Sequence, residues 1–238
     1  MIDFHCHALH GIDDGSRCQE ESVKILTQST QQGITVVALT PHFYGNKETP
    51  EHFLERRSAA LEQLRSREQA CIPQLLAGSE VYYFPGLLQS QSLSKLRLEG
   101  SPYLLLELPF TPWSDRIVDE IVELNQSKEI IVVLAHIDRY LSMQKPYVIE
   151  KFLENDVLFQ ANAQSFLNWR ERRRMLYMVK QGCISFLGSD CHNLTSRPPC
   201  MGEAINVIKK KLGSEAVDLL VNKELESDEV KGAQLLPR

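Results

Sequence analysis

Short apolar runs alternate with longer amphipathic stretches along this chain. Seven of the short runs read as strands: residues 2–6 (IDFHC), 34–40 (ITVVALT), 74–81 (QLLAGSEV), 103–109 (YLLLELP), 130–136 (IIVVLAH), 157–163 (VLFQANA) and 184–190 (ISFLGSD). Most are continuously apolar instead of alternating, the pattern of strands buried on both faces. Between them the spacing predicts helices over 19–32, 50–70, 86–96, 114–127, 145–154, 165–181 and 200–211. Gly33 suits a left-handed end for the first helix. Thr49 followed by Pro50 suits the start of the second. Parallel neighbours need crossover connections, so this alternation implies a parallel sheet. Seven βα units predict a barrel of seven strands, with an open doubly wound sheet as the alternative. The G-x-G-x-x-G and G-x-x-x-x-G-K-[ST] motifs are both absent, which weakens a nucleotide-binding version of that alternative.

Composition narrows the picture only slightly. With 238 residues and 43% hydrophobic content, the chain can bury the core of one domain over 1–238, with a polar tail from about 226. A net charge of −5 gives no reason to expect nucleic acid or a membrane surface as partner. No apolar run approaches the ~20 residues that span a bilayer, so no membrane insertion is expected. The start MIDFHCH lacks a basic segment followed by an apolar core, so the expected compartment is the cytosol. The six cysteines form no C-x-x-C pair, and reduced thiols are expected.

The chemistry lies at the strand ends. The first strand ends in His5 and His7, the second leads into His42, the third into Glu80, the fourth into Glu107, the fifth into His136, and the last into Asp190 and His192. Asp14 follows on the loop after the first strand. In a βα barrel these ends form one rim, where reactions take place. His5 and His7 are two apart, so both point to one side of a strand. A carboxylate inside an apolar run, such as Glu107 in YLLLELPF, is costly without a partner. Imidazoles with carboxylates suit Zn, Mn, Fe or Co, and nine such side chains exceed the needs of one ion, which implies two or three metals. Such ions lower the pKa of water to ~7 and stabilise phosphoryl charge, so phosphate-ester hydrolysis needs no protein nucleophile. His10 and His52 fall away from the strand ends and are assigned no ligand role. Asp3 either orients an imidazole or holds a backbone amide.

Other readings remain. CHNLTSR (191–197) has the C-x5-R spacing of a thiolate phosphatase centred on Cys191, although the loop lacks the glycine that an anion cradle of amides favours. RERRR (170–174) is the one basic run that a nuclease could use. It reads more simply as a solvated helix face, or as a surface for an acidic phosphopeptide tail. A metal-dependent scaffold without turnover is the non-enzymatic alternative.

HCH near the N-terminus, DDG, TPH, GSE, LAHIDRY, GSDCHN and SRPP together resemble the polymerase-and-histidinol-phosphatase (PHP) superfamily. More narrowly they resemble its bacterial capsule-type, manganese-dependent tyrosine-protein phosphatases. The resemblance runs from Met1 to about Glu203 and implies a distorted seven-stranded parallel (β/α)7 barrel of the PHP type. It implies three divalent ions, of which Mn2+ is expected. One ion would sit on His5, His7, Glu80 and Asp190. A second would sit on Glu107 and His136 with Glu80 bridging, and a third on Asp14, His42 and His192. It further implies that Arg139 and Arg197 hold phosphate. The implied substrate is the phosphotyrosine-bearing tail of a bacterial tyrosine kinase that controls capsular or exopolysaccharide synthesis. The alternative on the same scaffold is a phosphatase for a small metabolite such as histidinol phosphate. Asp138, where the pattern leads one to expect Glu, and Cys191 between two ligands depart from the family pattern.

Overall fold

The computed structural model describes residues 1–66, 71–126 and 129–222. The ends predicted for two helices, at 70 and 127, and the polar tail from about 226 lie outside the described residues. The first part of the chain forms β1 (Ile2–Cys6), α1 (Gln19–Gln31), β2 (Val36–Leu39), β3 (His42–Tyr44), α2 (Pro50–Arg65), β4 (Gln74–Ala77) and β5 (Glu80–Tyr82). Then come β6 (Tyr103–Glu107), α3 (Asp115–Asn125), β7 (Ile131–Leu134), α4 (Ile137–Tyr140), α5 (Pro146–Glu154) and β8 (Leu158–Asn162). The last part carries α6 (Ala163–Leu167), α7 (Arg172–Lys180), β9 (Phe186–Gly188), α8 (Met201–Leu212) and α9 (Ser214–Val221).

The strands pair in parallel throughout. They form two sheets, β1-β2-β4 and β3-β5-β6-β7-β8-β9, where a single ring of seven strands is the expectation from sequence. The difference has a local cause. The second expected strand stops at Leu39 because Pro41 has no N–H to offer a ladder, and the chain resumes as β3. The third expected strand divides at Gly78 and Ser79. Across these breaks Gly78 N donates to Leu39 O (2.9 Å) and Glu80 N to Pro41 O (3.0 Å). On the other side of β1, Asp190 N donates to His5 O (2.8 Å) and His7 N to Cys191 O (2.9 Å).

Two apolar layers follow from this arrangement. A large core packs Val37, Leu39, Leu104, Leu106, Val132, Leu134 and Leu187 of the strands against helix residues such as Leu26, Leu64, Ile121 and Phe152. A smaller cluster uses the opposite strand faces and unites Phe4 and Ala38 of one sheet with Tyr103, Leu105, Val133 and Phe186 of the other. Phe4 stacks on Phe186 with ring centroids 3.9 Å apart. Since successive side chains alternate between faces, Glu107 continues the inward row of Tyr103 and Leu105. The pairing of β1 shifts between Asp3 and Cys6, an irregularity of the kind that re-aims side chains.

The helices match their predicted places with four differences. Residues 86–96 form only two 3-10 turns, Leu87–Gln89 and Leu93–Leu96. The segment opens at Gly86 in the left-handed region (φ 92°), and between the two turns Ser92 sends its hydroxyl to Glu51 Oε1 (3.1 Å). The helix expected over 165–181 is two helices, α6 and α7. The short α4 and the later α9 have no counterpart in the pattern. No described helix is long and apolar enough to cross a membrane.

Candidate active site

All nine predicted ligand side chains meet at the C-terminal ends of the strands. His5 Nε2 and His7 Nε2 lie 2.9 Å apart. Glu80 Oε2 is 3.2 Å from His5 Nε2, 3.1 Å from His7 Nε2 and 3.1 Å from His42 Nδ1. The second oxygen of Glu80 is 2.9 Å from His136 Nε2, whose other carboxylate neighbour is Glu107 at 3.4 Å. Asp190 Oδ1 faces His5, His7 and His192 at 3.5–3.6 Å. The exposed Asp14 stands 3.7 Å from His42 Nε2 and 3.5 Å from His192 Nε2. Three subsets could each surround an ion: His5, His7 and Asp190; His42, Glu80 and Glu107; and His7, Asp14, His42 and His192. These differ in membership from the sets implied by resemblance, because His7 and His42 each face two neighbours.

A second layer, unassigned by the sequence reading, holds these side chains. Asp13 Oδ2 lies 2.7 Å from His7 Nδ1 and accepts a hydrogen bond from His42 N (2.8 Å). Gly15 makes this turn feasible, since a Cβ there would fall 2.1 Å from His7 O. The eighth strand, which supplies no predicted ligand, supplies Gln160 and Asn162. Gln160 Oε1 lies 3.1 Å from His5 Nδ1 and accepts from His136 N (2.7 Å). Asn162 Nδ2 donates to Asp190 Oδ2 (2.9 Å). Asp3 takes the second of its two readings: its Oδ1 accepts from Ser189 N (2.8 Å) and His5 N (3.3 Å). His136 (φ 34°) and Asp190 (φ 52°) sit in the left-handed region, costly for residues other than glycine and frequent at functional sites. His10 contacts Gln63 and His52 contacts Glu48, both outside the cluster.

The charges explain why this arrangement calls for cations. Burial would lower the pKa of His7, but the Asp13 and Glu80 carboxylates outweigh it and hold it well above the usual range. Burial would raise Glu80, yet the facing His5, His42 and His136 hold it well below. His136 is pushed up to about 9, Glu107 and Glu80 overcoming its burial. His192 goes the other way, down to about 3, through burial and the positive His7 beside it. Buried imidazole nitrogens that face one another and carboxylates need either protons or metal ions between them. His192 Nε2 and His42 Nδ1 are buried and make no hydrogen bond, although both point at carboxylates. The donor set therefore fits divalent cations.

The mouth of the cluster carries arginines and an aromatic ring. Arg139 pairs with Asp190 Oδ2, and Arg197 Nη2 lies 2.6 Å from Asp190 Oδ1. Both guanidinium groups are about one third exposed. Phe110, 48% exposed, lies nearly parallel to the His136 ring at 5.9 Å and packs on Tyr140. Cys191, in contrast, is fully buried within the large apolar core, its sulfur 3.6 Å from Asn193 O. That placement removes the thiolate reading, which needs an exposed, electropositive thiol.

Several known proteins are similar to the chain along most of its length. The tyrosine-protein phosphatase CpsB of Streptococcus agalactiae serotype III (strain NEM316) is 28% identical over 234 residues, 92% of this chain and 94% of the relative. The tyrosine-protein phosphatase YwqE of Bacillus subtilis (strain 168) is 28% identical over 233 residues, 94% of this chain and 91% of the relative. A solved structure from work on YwqE of Bacillus subtilis and CpsB of Streptococcus pneumoniae, described as unique metal-dependent tyrosine phosphatases, superposes with a TM-score of 0.78. It is 25% identical and covers 100% of both chains. A phosphotriesterase homology protein from Escherichia coli, 11% identical with a TM-score of 0.54 over 92% of this chain and 95% of that one, shares the fold alone. The family described as capsular polysaccharide synthesis, CpsB/CapC, matches residues 1–227, and the chain belongs to it.

Proposed function

We propose that this protein is a metal-dependent protein-tyrosine phosphatase. The observation that carries the reading is the convergence of five imidazoles and four carboxylates on one strand-end rim, with two arginines at its mouth. His5, His7, Glu80 and Asp190 would hold one ion, Glu107 and His136 with Glu80 a second, and Asp14, His42 and His192 a third. Mn2+ is the ion expected. Three divalent ions outweigh the four ligand carboxylates, which makes the pocket attractive to a phosphate dianion in an acidic protein. When bound, such ions supply Lewis acidity toward phosphoryl oxygens and an acidified water at neutral pH. The chain's own residues do the rest. Arg139 and Arg197 fork onto non-bridging oxygens and orient the phosphoryl group. Phe110 presents a flat apolar face against which a tyrosyl ring can lie. The substrate in this reading is the phosphotyrosine-bearing tail of a bacterial tyrosine kinase in capsule or exopolysaccharide synthesis, which would place the enzyme on the cytoplasmic side.

The same reading treats the two sheets as one distorted seven-stranded barrel in a single domain. β2 with β3 and β4 with β5 count as broken halves of single strands, and the bonds between β1 and residues 190–191 support closure. The functional test measures turnover of a phosphotyrosine peptide, histidinol phosphate and DNA, with metal content determined on the same sample. Peptide hydrolysis is expected to vanish on chelation and return with Mn2+, and Cys191→Ser is expected to stay within several-fold of the wild type. Full turnover by protein confirmed metal-free, or a dead Cys191→Ser enzyme with full metal occupancy, would sink the reading.

A further inference from the structure

Residues 169–177 read WRERRRMLY, four arginines and two aromatics in a chain whose net charge is −5. Trp169 is 76% exposed and Tyr177 63%. The stretch reaches the rim of the site through Arg174, for a structural reason. Asn162, at the end of β8, bonds Asp190, and α6 begins at the next residue. The chain then breaks at 168–171 before α7. Arg172 secures that break, donating to Phe166 O and Leu167 O at 2.7 Å each. Arg174 reaches back to Asp138 O (3.4 Å), the residue beside Arg139. The other two arginines face outward. Arg170 lies over the Trp169 ring (5.1 Å), and Arg173 is exposed. Neither forms an ion pair among the described residues. One acid, Glu171, interrupts the run.

From this placement we infer that the 169–177 surface docks acidic residues flanking the phosphorylated tyrosine, an inference that rests on the phosphotyrosine reading above. Unpaired arginines beside exposed aromatics are a common composition of binding hot spots. A cationic surface next to the catalytic arginines favours a peptide whose carboxylates lie a few residues from the phosphate. It acts on capture of the peptide and leaves the bond-breaking step alone. A small aryl phosphate does not reach it.

The test compares two phosphotyrosine peptides of equal length, one flanked by Asp and Glu and the other by Asn and Gln, with p-nitrophenyl phosphate as the small substrate. Wild-type holoenzyme is expected to favour the acidic peptide in kcat/KM by about five-fold at low ionic strength, through KM, with the preference fading in high salt. The double variant Arg170→Glu/Arg173→Glu is expected to lose the preference while its p-nitrophenyl phosphate turnover matches the wild type. The wild-type comparison stands whether or not the variant folds. Equal use of both peptides by the wild type, or a preference that survives in the variant, overturns the docking surface alone. Wild-type enzyme that turns over p-nitrophenyl phosphate and neither peptide overturns the phosphotyrosine reading and the surface with it. Competition by a duplex oligonucleotide that disappears in the variant gives the surface to nucleic acid and also overturns the inference.

Discussion

Asp13 sets the position of two imidazoles while standing behind both. Its carboxylate faces His7 Nδ1 and receives the backbone N–H of His42, and His7 in turn holds its pKa down at about 2 against the effect of burial. With Nδ1 held against Asp13, Nε2 is the atom that His7 would offer an ion in exchange for its proton. Asp13→Ala is expected to reduce metal affinity or kcat by about 10–100-fold with the fold retained, and Asp13→Asn by less. Metal titration with circular dichroism checks it, and wild-type affinity in Asp13→Ala would make the residue a spectator. DDG drew attention to Asp14 through its place on the rim. Asp14 does face His42 and His192 from the exposed mouth, but spacing does not tell that the adjacent Asp13 is buried behind His7. Gln160 gives a weaker signal in the sequence: an uncharged amide costs less to bury than a carboxylate, so its place in an apolar run stands out less.

At the scale of elements, the site depends on how closely β9 approaches β1. A Cβ on Gly188 would fall 2.5 Å from His5 Cβ and 2.8 Å from Gln160 Nε2. Both neighbours belong to the cluster or its support, so neither can yield without moving a ligand. Gly188→Ala is expected to cost about 1–3 kcal/mol of stability by overpacking and to lower metal content as His5 shifts. Urea unfolding with elemental analysis decides it; unchanged stability and full occupancy would show that the strands can separate. Strand positions were legible because buried parallel strands leave continuous apolar runs. The breaks at Pro41 and Gly78 were legible only as residues. That they divide two strands and turn His42 and Glu80 inward depends on neighbouring ladders. The split of 165–181 into α6 and α7 was hidden likewise, since Arg172 stabilises the break through carbonyls of the chain itself.

At the scale of the molecule, the cluster ties both sheets together. His5 comes from the three-stranded sheet and His7 from the residue just after its β1, and His42, Glu80, Glu107 and His136 come from or beside the six-stranded one. Ions held between them stabilise the native state only, by about 2.7 kcal/mol for a single ion at 100 times its Kd. Chelation is therefore expected to lower Tm by about 5–10 °C, reversibly on adding Mn2+. Calorimetry on protein of measured metal content checks this, and an unchanged Tm in the metal-free protein would show that the ions do not bridge the sheets.

The βα alternation, the parallel pairing and the types of side chain brought to the strand ends are legible in the sequence, because periodicity and burial cost are local properties of the chain. Arg139 and Arg197 were expected at that rim only through the resemblance to known phosphatases. Tertiary packing alone put Glu80 among four imidazoles, Asp13 and Gln160 behind the cluster, Cys191 in the core, and Arg174 against the Asp138 carbonyl next to Arg139. Each of these is a contact between residues far apart in the chain, set by the direction in which a side chain leaves a twisted strand, and spacing along the sequence carries no record of that direction.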